Sequence, residues 1–171
     1  MDDVAPLPDV EIGEIIGMLE YLKEEGGRTD IYEIADDENL EIDDLVPIIK
    51  AASLLGFARV ENGDLILTEL GKELIEGDEN KRKLIFKEAL KKLPAFKKVI
   101  ELLLNNPDHT IDKNDLLKLL MQEMPEDEAK VTLKSLINFG RYAELIGYNP
   151  EDKEIYLDQL NQNSDEREIE L

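Results

Sequence analysis

The chain has 171 residues, 42% of them hydrophobic but only 5% aromatic, and carries a formal charge of −21. That is enough apolar material for one packed domain or two small ones, with a core built mainly from Leu, Ile, Val and Ala. The 41 carboxylates against 20 Lys and Arg set the surface against phosphate backbones and anionic membranes, and the lack of Cys excludes disulfides, thiolate metal sites and cysteine nucleophiles.

The first residues, "MDDVAPLPDV", contain Pro6 and Pro8 and are expected to form an extended arm over residues 1–10. They lack the basic and apolar regions of a secretory leader. No later run approaches the length needed to span a bilayer, so a soluble cytoplasmic protein is expected. From Ile12 the apolar positions Ile12, Ile15, Ile16, Leu19 and Leu22 repeat at helical spacing. Gly26-Gly27 stops that helix. Thr29 or Asp30 caps a short second helix carrying Ile31, Ile34 and Ala35. A third starts near Asp43, with Leu45, Ile48, Ile49, Ala52 and Leu55 inward and Pro47 in its first turn, and ends at Gly56. Phe57–Val60 and Leu65–Thr68 then read as a hairpin about Asn62-Gly63, a pair that accepts the positive φ values of a tight turn. Thr68 caps a further helix from Glu69.

Charge changes along the chain. Residues 1–78 hold five cations and 22 carboxylates, a net of −17, whereas residues 79–171 hold 15 and 19, a net of −4. The change falls at "EGDENKRK", which marks the boundary between a first unit at 11–78 and a second at 79–158. The second unit repeats the plan loosely. A helix from Asn80 is interrupted at Pro94 and resumes to about Leu104. Residues 105–110 form a loop, and residues 113–121 a short helix. Another helix runs from Pro125 to Phe139, with Gly140 as its stop. "RYAELIGY" (141–148) and "EIYL" (154–157) read as strands, so that Leu54–Val60 and Asn138–Glu144 occupy equivalent places. Residues 159–171 make a polar tail. The fold class expected is mainly α (α+β): tandem winged-helix units, each of three helices and a β-hairpin wing.

The segments "PLPDVEIGEIIGMLEYL", "GGRTDIYEIAD", "AASLLGFARVENGDLILTELGKEL" and "NFGRYAELIGYNPEDKEIYL", in that order and spacing, resemble the AAA-associated C-terminal domain family. Its members are attached to ATP-binding subunits of nitrate/sulfonate/bicarbonate-type ABC transporters, or stand alone. The resemblance covers about residues 6–158. It implies a non-catalytic accessory or regulatory module with a protein partner, in the first place such an ATP-binding subunit. No G-x-x-x-x-G-K-[ST] loop is present, so nothing cradles a nucleotide phosphate in that manner, and neither ATPase activity nor a cofactor is expected.

A winged helix often reads DNA, but here the reader positions are acidic. Glu41, Asp43 and Asp44 lead the third helix, with Lys50 its only cation. In the second unit three acids lead, with Lys130 and Lys134 behind. Carboxylates meeting about one phosphate per ~1.7 Å of duplex oppose binding, so nucleic acid is not the expected partner. A DNA-binding transcription regulator, acting as a dimer, is the alternative. The basic run around Lys83, Lys87 and Lys91 is either a solvated helix face or a docking surface for an acidic partner. Arg141, Tyr142 and Tyr148 either form a protein-contact spot or close the core with their rings. The acidic stretch 36–44 lacks the glycine and terminal Glu of a calcium loop. Catalysis by His109 would need an orienting acid and a nucleophile facing it; Asp108 is adjacent in sequence, but "PDHT" reads as a turn and helix cap. No catalytic or metal-binding residue is therefore assigned.

Overall fold

The computed structural model describes residues 4–158, so the polar tail at 159–171 lies outside the described residues. The chain divides into two compact units, residues 8–89 and residues 90–158 with 4–7. Among the described residues there are eight helices and two antiparallel three-stranded sheets, a mainly helical mixed fold.

The first unit runs α1 (Ile12–Glu24), β1 (Arg28–Asp30), α2 (Ile31–Asp37), α3 (Ile42–Leu54), β2 (Ala58–Glu61), β3 (Asp64–Leu67), α4 (Glu69–Glu76) and most of α5 (Glu79–Lys91). Its helices begin and end where local chemistry dictates. The Glu14 carboxylate accepts from the Glu11 N–H at 2.8 Å, half of a reciprocal capping box. Asp30 accepts from the N–H groups of Tyr32 and Glu33, and Thr68 accepts from Gly71. Gly26 closes α1 in the left-handed region, with the Gly27 N–H donating back to the Leu22 carbonyl. Pro47 lies in the second turn of α3, not the first. The carbonyl it leaves unpaired belongs to Asp43, an exposed residue that water can serve. Asn62 and Gly63 both have positive φ, the requirement of the tight turn joining β2 to β3. Periodicity did not reveal β1, a three-residue strand that pairs with β3, giving the order β1-β3-β2.

Ile15, Leu19, Leu22, Ile34, Leu45, Phe57, Leu65 and Leu74 form the core of this unit. Each contributes on the order of 1.5–3 kcal/mol by leaving water. Phe86 of α5 meets Phe57 edge-on at 5.1 Å, which carries the unit past the charge change at residue 78 to Ala89. Arg82, in the basic run, donates to the carbonyls of Leu74 and Ile75 and so closes the end of α4.

The second unit repeats the order as α6 (Pro94–Asn105), β4 (Thr110–Asp112), α7 (Lys113–Leu120), α8 (Glu126–Tyr142), β5 (Ile146–Asn149) and β6 (Glu154–Leu157), with sheet order β4-β6-β5. β4 occupies the end of what reads as a loop in sequence. The N-terminal segment has no regular structure at residues 4–11. Val4 and Leu7 are nevertheless buried, and the Leu7 N–H donates to Thr132 Oγ1 at 3.0 Å.

The readings of Gly140 as a helix stop and of residues 141–148 as a strand are overturned: β5 begins only at Ile146. Gly140 does not stop α8; the helix continues to Tyr142 and turns at Glu144, which takes φ of 57°. The bonds closing α8, Glu144 N–H to Arg141 carbonyl and Leu145 N–H to Gly140 carbonyl, repeat those closing α3, Gly56 to Ser53 and Phe57 to Ala52. Gly56 therefore corresponds to Glu144, and Gly140 to Ala52. Gly140 is glycine for packing: a Cβ there would stand 2.4 Å from Ile146 Cγ1. Where the second unit has Gly140 and Ile146, the first has Ala52 and Ala58, a trade of volume between facing positions.

Candidate functional site

α7, α8 and β5 enclose a groove of about 470 Å³ in the second unit. Each wall follows from local structure. Asp112 caps α7 by accepting from the N–H groups of Asn114 and Asp115, which fixes Lys113 and Asn114 in its first turn. Along α8, Lys130, Lys134 and Arg141 recur at intervals of four and seven, one face of a 3.6-residue helix. All three are exposed, while Leu133 and Ile137 beside them are buried and form the floor with Leu117. Asn138 and Tyr148 complete the lining. The Lys113 ammonium lies 5.4 Å from the centre of the Tyr148 ring, within cation–π range.

Four cations thus converge on an apolar floor, and among the described residues no carboxylate lines it. Carboxylates stand in the neighbouring turns of the chain instead. Glu126, Asp127 and Glu128 form the first turn of α8, and Glu151 and Asp152 occupy the β5–β6 turn. Lys130 pairs with Glu126 at 3.5 Å with both side chains more than half exposed, a contact of at most a few tenths of a kcal/mol.

The corresponding face of the first unit has different chemistry. Aligned on the caps Asp30 and Asp112 and on the helix ends at Gly56 and Glu144, Tyr32 stands where Asn114 does. Val46 likewise replaces Lys134, and Val60 replaces Tyr148. These three are 73%, 50% and 49% exposed. Lys50 takes the place of Asn138, and Ser53 that of Arg141. Asp43 and Asp44 lie in the first turn of α3.

The structure redistributes the residues singled out in sequence. Arg141 and Tyr148 line one groove, but Tyr142, in the last turn of α8, is half-buried and outside its lining. Lys83 and Lys91 on α5 are half-buried, and Lys87 is only 3% exposed. The Lys83–Lys87–Lys91 stripe is therefore not an open docking face. The rings of Phe57, Phe86, Phe96 and Phe139 close the cores, whereas Tyr32 does not. Sequence reasoning passed over Lys113 altogether. It also separated Arg141 from Lys130 and Lys134 by ending the helix at Gly140. The signal was present in their spacing once α8 runs through that glycine.

Two side-chain pairs of the first unit displace a pKa. The Tyr21 hydroxyl donates to Asp37, and that bond raises the phenol pKa. Glu76 accepts from Lys23 at 3.0 Å, and the bond holds its carboxyl below the usual range. Both pairs lie on the surface of the first unit. Among the described residues no three His, Asp or Glu converge as a metal ion requires, and no helix is long and apolar enough to cross a membrane.

Among solved structures, the chain is similar to the N,N-8-amino-8-demethyl-D-riboflavin dimethyltransferase of Streptomyces davawensis. The match has 15% identity and a TM-score of 0.34, over 76% of this chain and 40% of that one. A comparison with curated proteins gives no match. The family is shown by the sequence itself: residues 32–149 match the C-terminal AAA-associated domain, and the chain belongs to that family.

Proposed function

We propose that the chain is a non-catalytic accessory or regulatory module. In this reading it is a pair of winged helices whose reading faces serve protein contact, and its partner is the ATP-binding subunit of an ABC transporter. Each unit's order of helix, strand, helix, helix and hairpin, with its first strand joined to its last, supports the winged-helix reading. Membership of the AAA-associated family supports the choice of partner.

The observation that carries the proposal is the face of the first unit. Tyr32, Val46 and Val60 are exposed at the positions a DNA reader would fill with Lys, Arg, Asn or Gln. An exposed aromatic ring and two exposed branched aliphatic chains suit the buried centre of a protein interface. The carboxylates of Asp43 and Asp44 beside them repel phosphate.

Sedimentation of the purified chain with the ATP-binding subunit of a nitrate/sulfonate/bicarbonate-type transporter from the same cell tests this. A complex is expected, weakened by Val46→Asp. No complex, with or without ATP, rejects the partner. The cationic groove of the second unit favours a second reading, a DNA-binding regulator. That reading requires salt-sensitive retardation of duplex DNA, which the first excludes.

A further inference from the structure

We infer that the groove between α7 and α8 is a binding site for a compact phosphorylated organic molecule of nucleotide size. The inference is independent of the protein partner, so loss of either reading leaves the other standing. A volume of about 470 Å³ falls within the range of small-molecule sites, roughly 300–1,000 Å³. The Arg141 guanidinium offers a planar fork for two phosphate oxygens. Lys113 and Lys130 supply point charges from the two helices. Lys130 gives up only an exposed pair with Glu126 to do so. Together these cations match the charge of a phosphate ester, about −1.5 to −2 per group.

The rest of the lining selects for an organic body. Leu117, Leu133 and Ile137 contribute nothing to an inorganic anion, but they shelter an apolar or aromatic moiety. The Tyr148 ring offers a stacking surface, and base–aromatic stacking is worth about 1–3 kcal/mol.

The carboxylates beside Lys130 decide against longer anions. A duplex presents phosphates continuously and would carry them beyond Lys130 to Glu126, 3.5 Å from it, and to Asp127 and Glu128 in the same first turn of α8. An extended acidic peptide, at roughly 3.3 Å per residue, meets the same carboxylates within a few residues. A compact anion seated on the lining has Lys113, Lys130, Lys134 and Arg141 as its charged neighbours. The net charge of −21 does not cancel this, because exposed charges beyond about 8 Å are largely screened at physiological salt.

The experiment is calorimetry on the full chain at physiological salt, with ADP as probe and pyrophosphate, a deca-glutamate peptide and a 20-base-pair duplex as comparators. ADP is expected to bind most tightly, with a dissociation constant below about 1 mM. Arg141→Glu and Lys113→Glu should each weaken it about tenfold or more. Lys50→Glu, on the corresponding face of the first unit, should leave it unchanged. The milder Arg141→Gln should weaken it too and keeps the test valid if charge reversal disturbs folding. No heat with millimolar ADP overturns the inference. So does an affinity indifferent to Arg141, or tighter binding of pyrophosphate, the peptide or the duplex.

Discussion

The two units spell one chain plan with opposite surfaces. Where the second unit gathers Lys113, Lys130, Lys134 and Arg141 around a groove, the first exposes Tyr32, Val46 and Val60. The framework beneath is held in common. An Asp caps the helix after each first strand. The same pair of backbone bonds closes α3 and α8, and the sheets share their order. Caps, turns and inward positions specify the fold, whereas exposed positions on the same helices are free to vary in chemistry. Duplication of a plan therefore does not imply duplication of a function, and each face has to be read from its own side chains.

The largest effect expected from breaking the comparison is in the core. Gly140→Ala puts a Cβ 2.4 Å from Ile146 Cγ1 and should destabilise the chain by about 1–3 kcal/mol in urea unfolding. Adding Ile146→Ala recreates the Ala52–Ala58 pair of the first unit. The double variant should lose less than the sum of the two single changes. A neutral Gly140→Ala would refute the volume trade.

Exchange of surface character comes next. Val46→Asp should weaken the complex with the ATP-binding subunit about tenfold, while Arg141→Glu, in the other unit's groove, leaves it unchanged. The reverse pattern would assign the partner to the cationic face.

A smaller effect lies in the first strands. Thr29 and Ile111 correspond, and both are buried, but the Thr29 hydroxyl finds no hydrogen-bond partner among the described residues. Thr29→Val keeps the shape and removes that group, so it should raise stability by roughly 1 kcal/mol. Ile111→Thr should lower it by roughly 1–3 kcal/mol. A destabilising Thr29→Val would mean that the hydroxyl is satisfied in solution.

The smallest effect is electrostatic. Lys23 holds the Glu76 carboxyl below its usual range, so the stability from this pair is present at neutral pH and is lost as pH falls through the depressed value. Glu76→Gln should lower the melting temperature slightly at pH 7. That difference should vanish in acid, where both chains carry a neutral group. A difference that grows on acidification has the wrong sign for this pair.

Much of the framework was legible in the sequence, because it rests on local chemistry. Asn62-Gly63, Thr68, Asp30 and Gly26-Gly27 act on neighbours a few residues away, and their roles follow from residue type alone. Gly140 misled for a physical reason. Glycine serves both as a left-handed helix end and as a place of close approach, and only Ile146, brought back by β5, tells the two apart. β1 and β4 escaped because three residues carry no period, and their strand character comes from pairing with β3 and β6. The buried Lys87 reads in sequence like any solvated lysine.

The sequence by itself determined most helices and their caps, the Asn62-Gly63 hairpin, the apolar core and the lack of any cysteine chemistry, because each depends on residues close in the chain or on composition. Tertiary structure alone decided which cations share a groove. Lys113 comes from one helix, Lys130, Lys134 and Arg141 from the next, and Tyr148 from the strand after that. Their common charge has meaning only at a separation of a few ångströms, which packing sets and sequence distance does not.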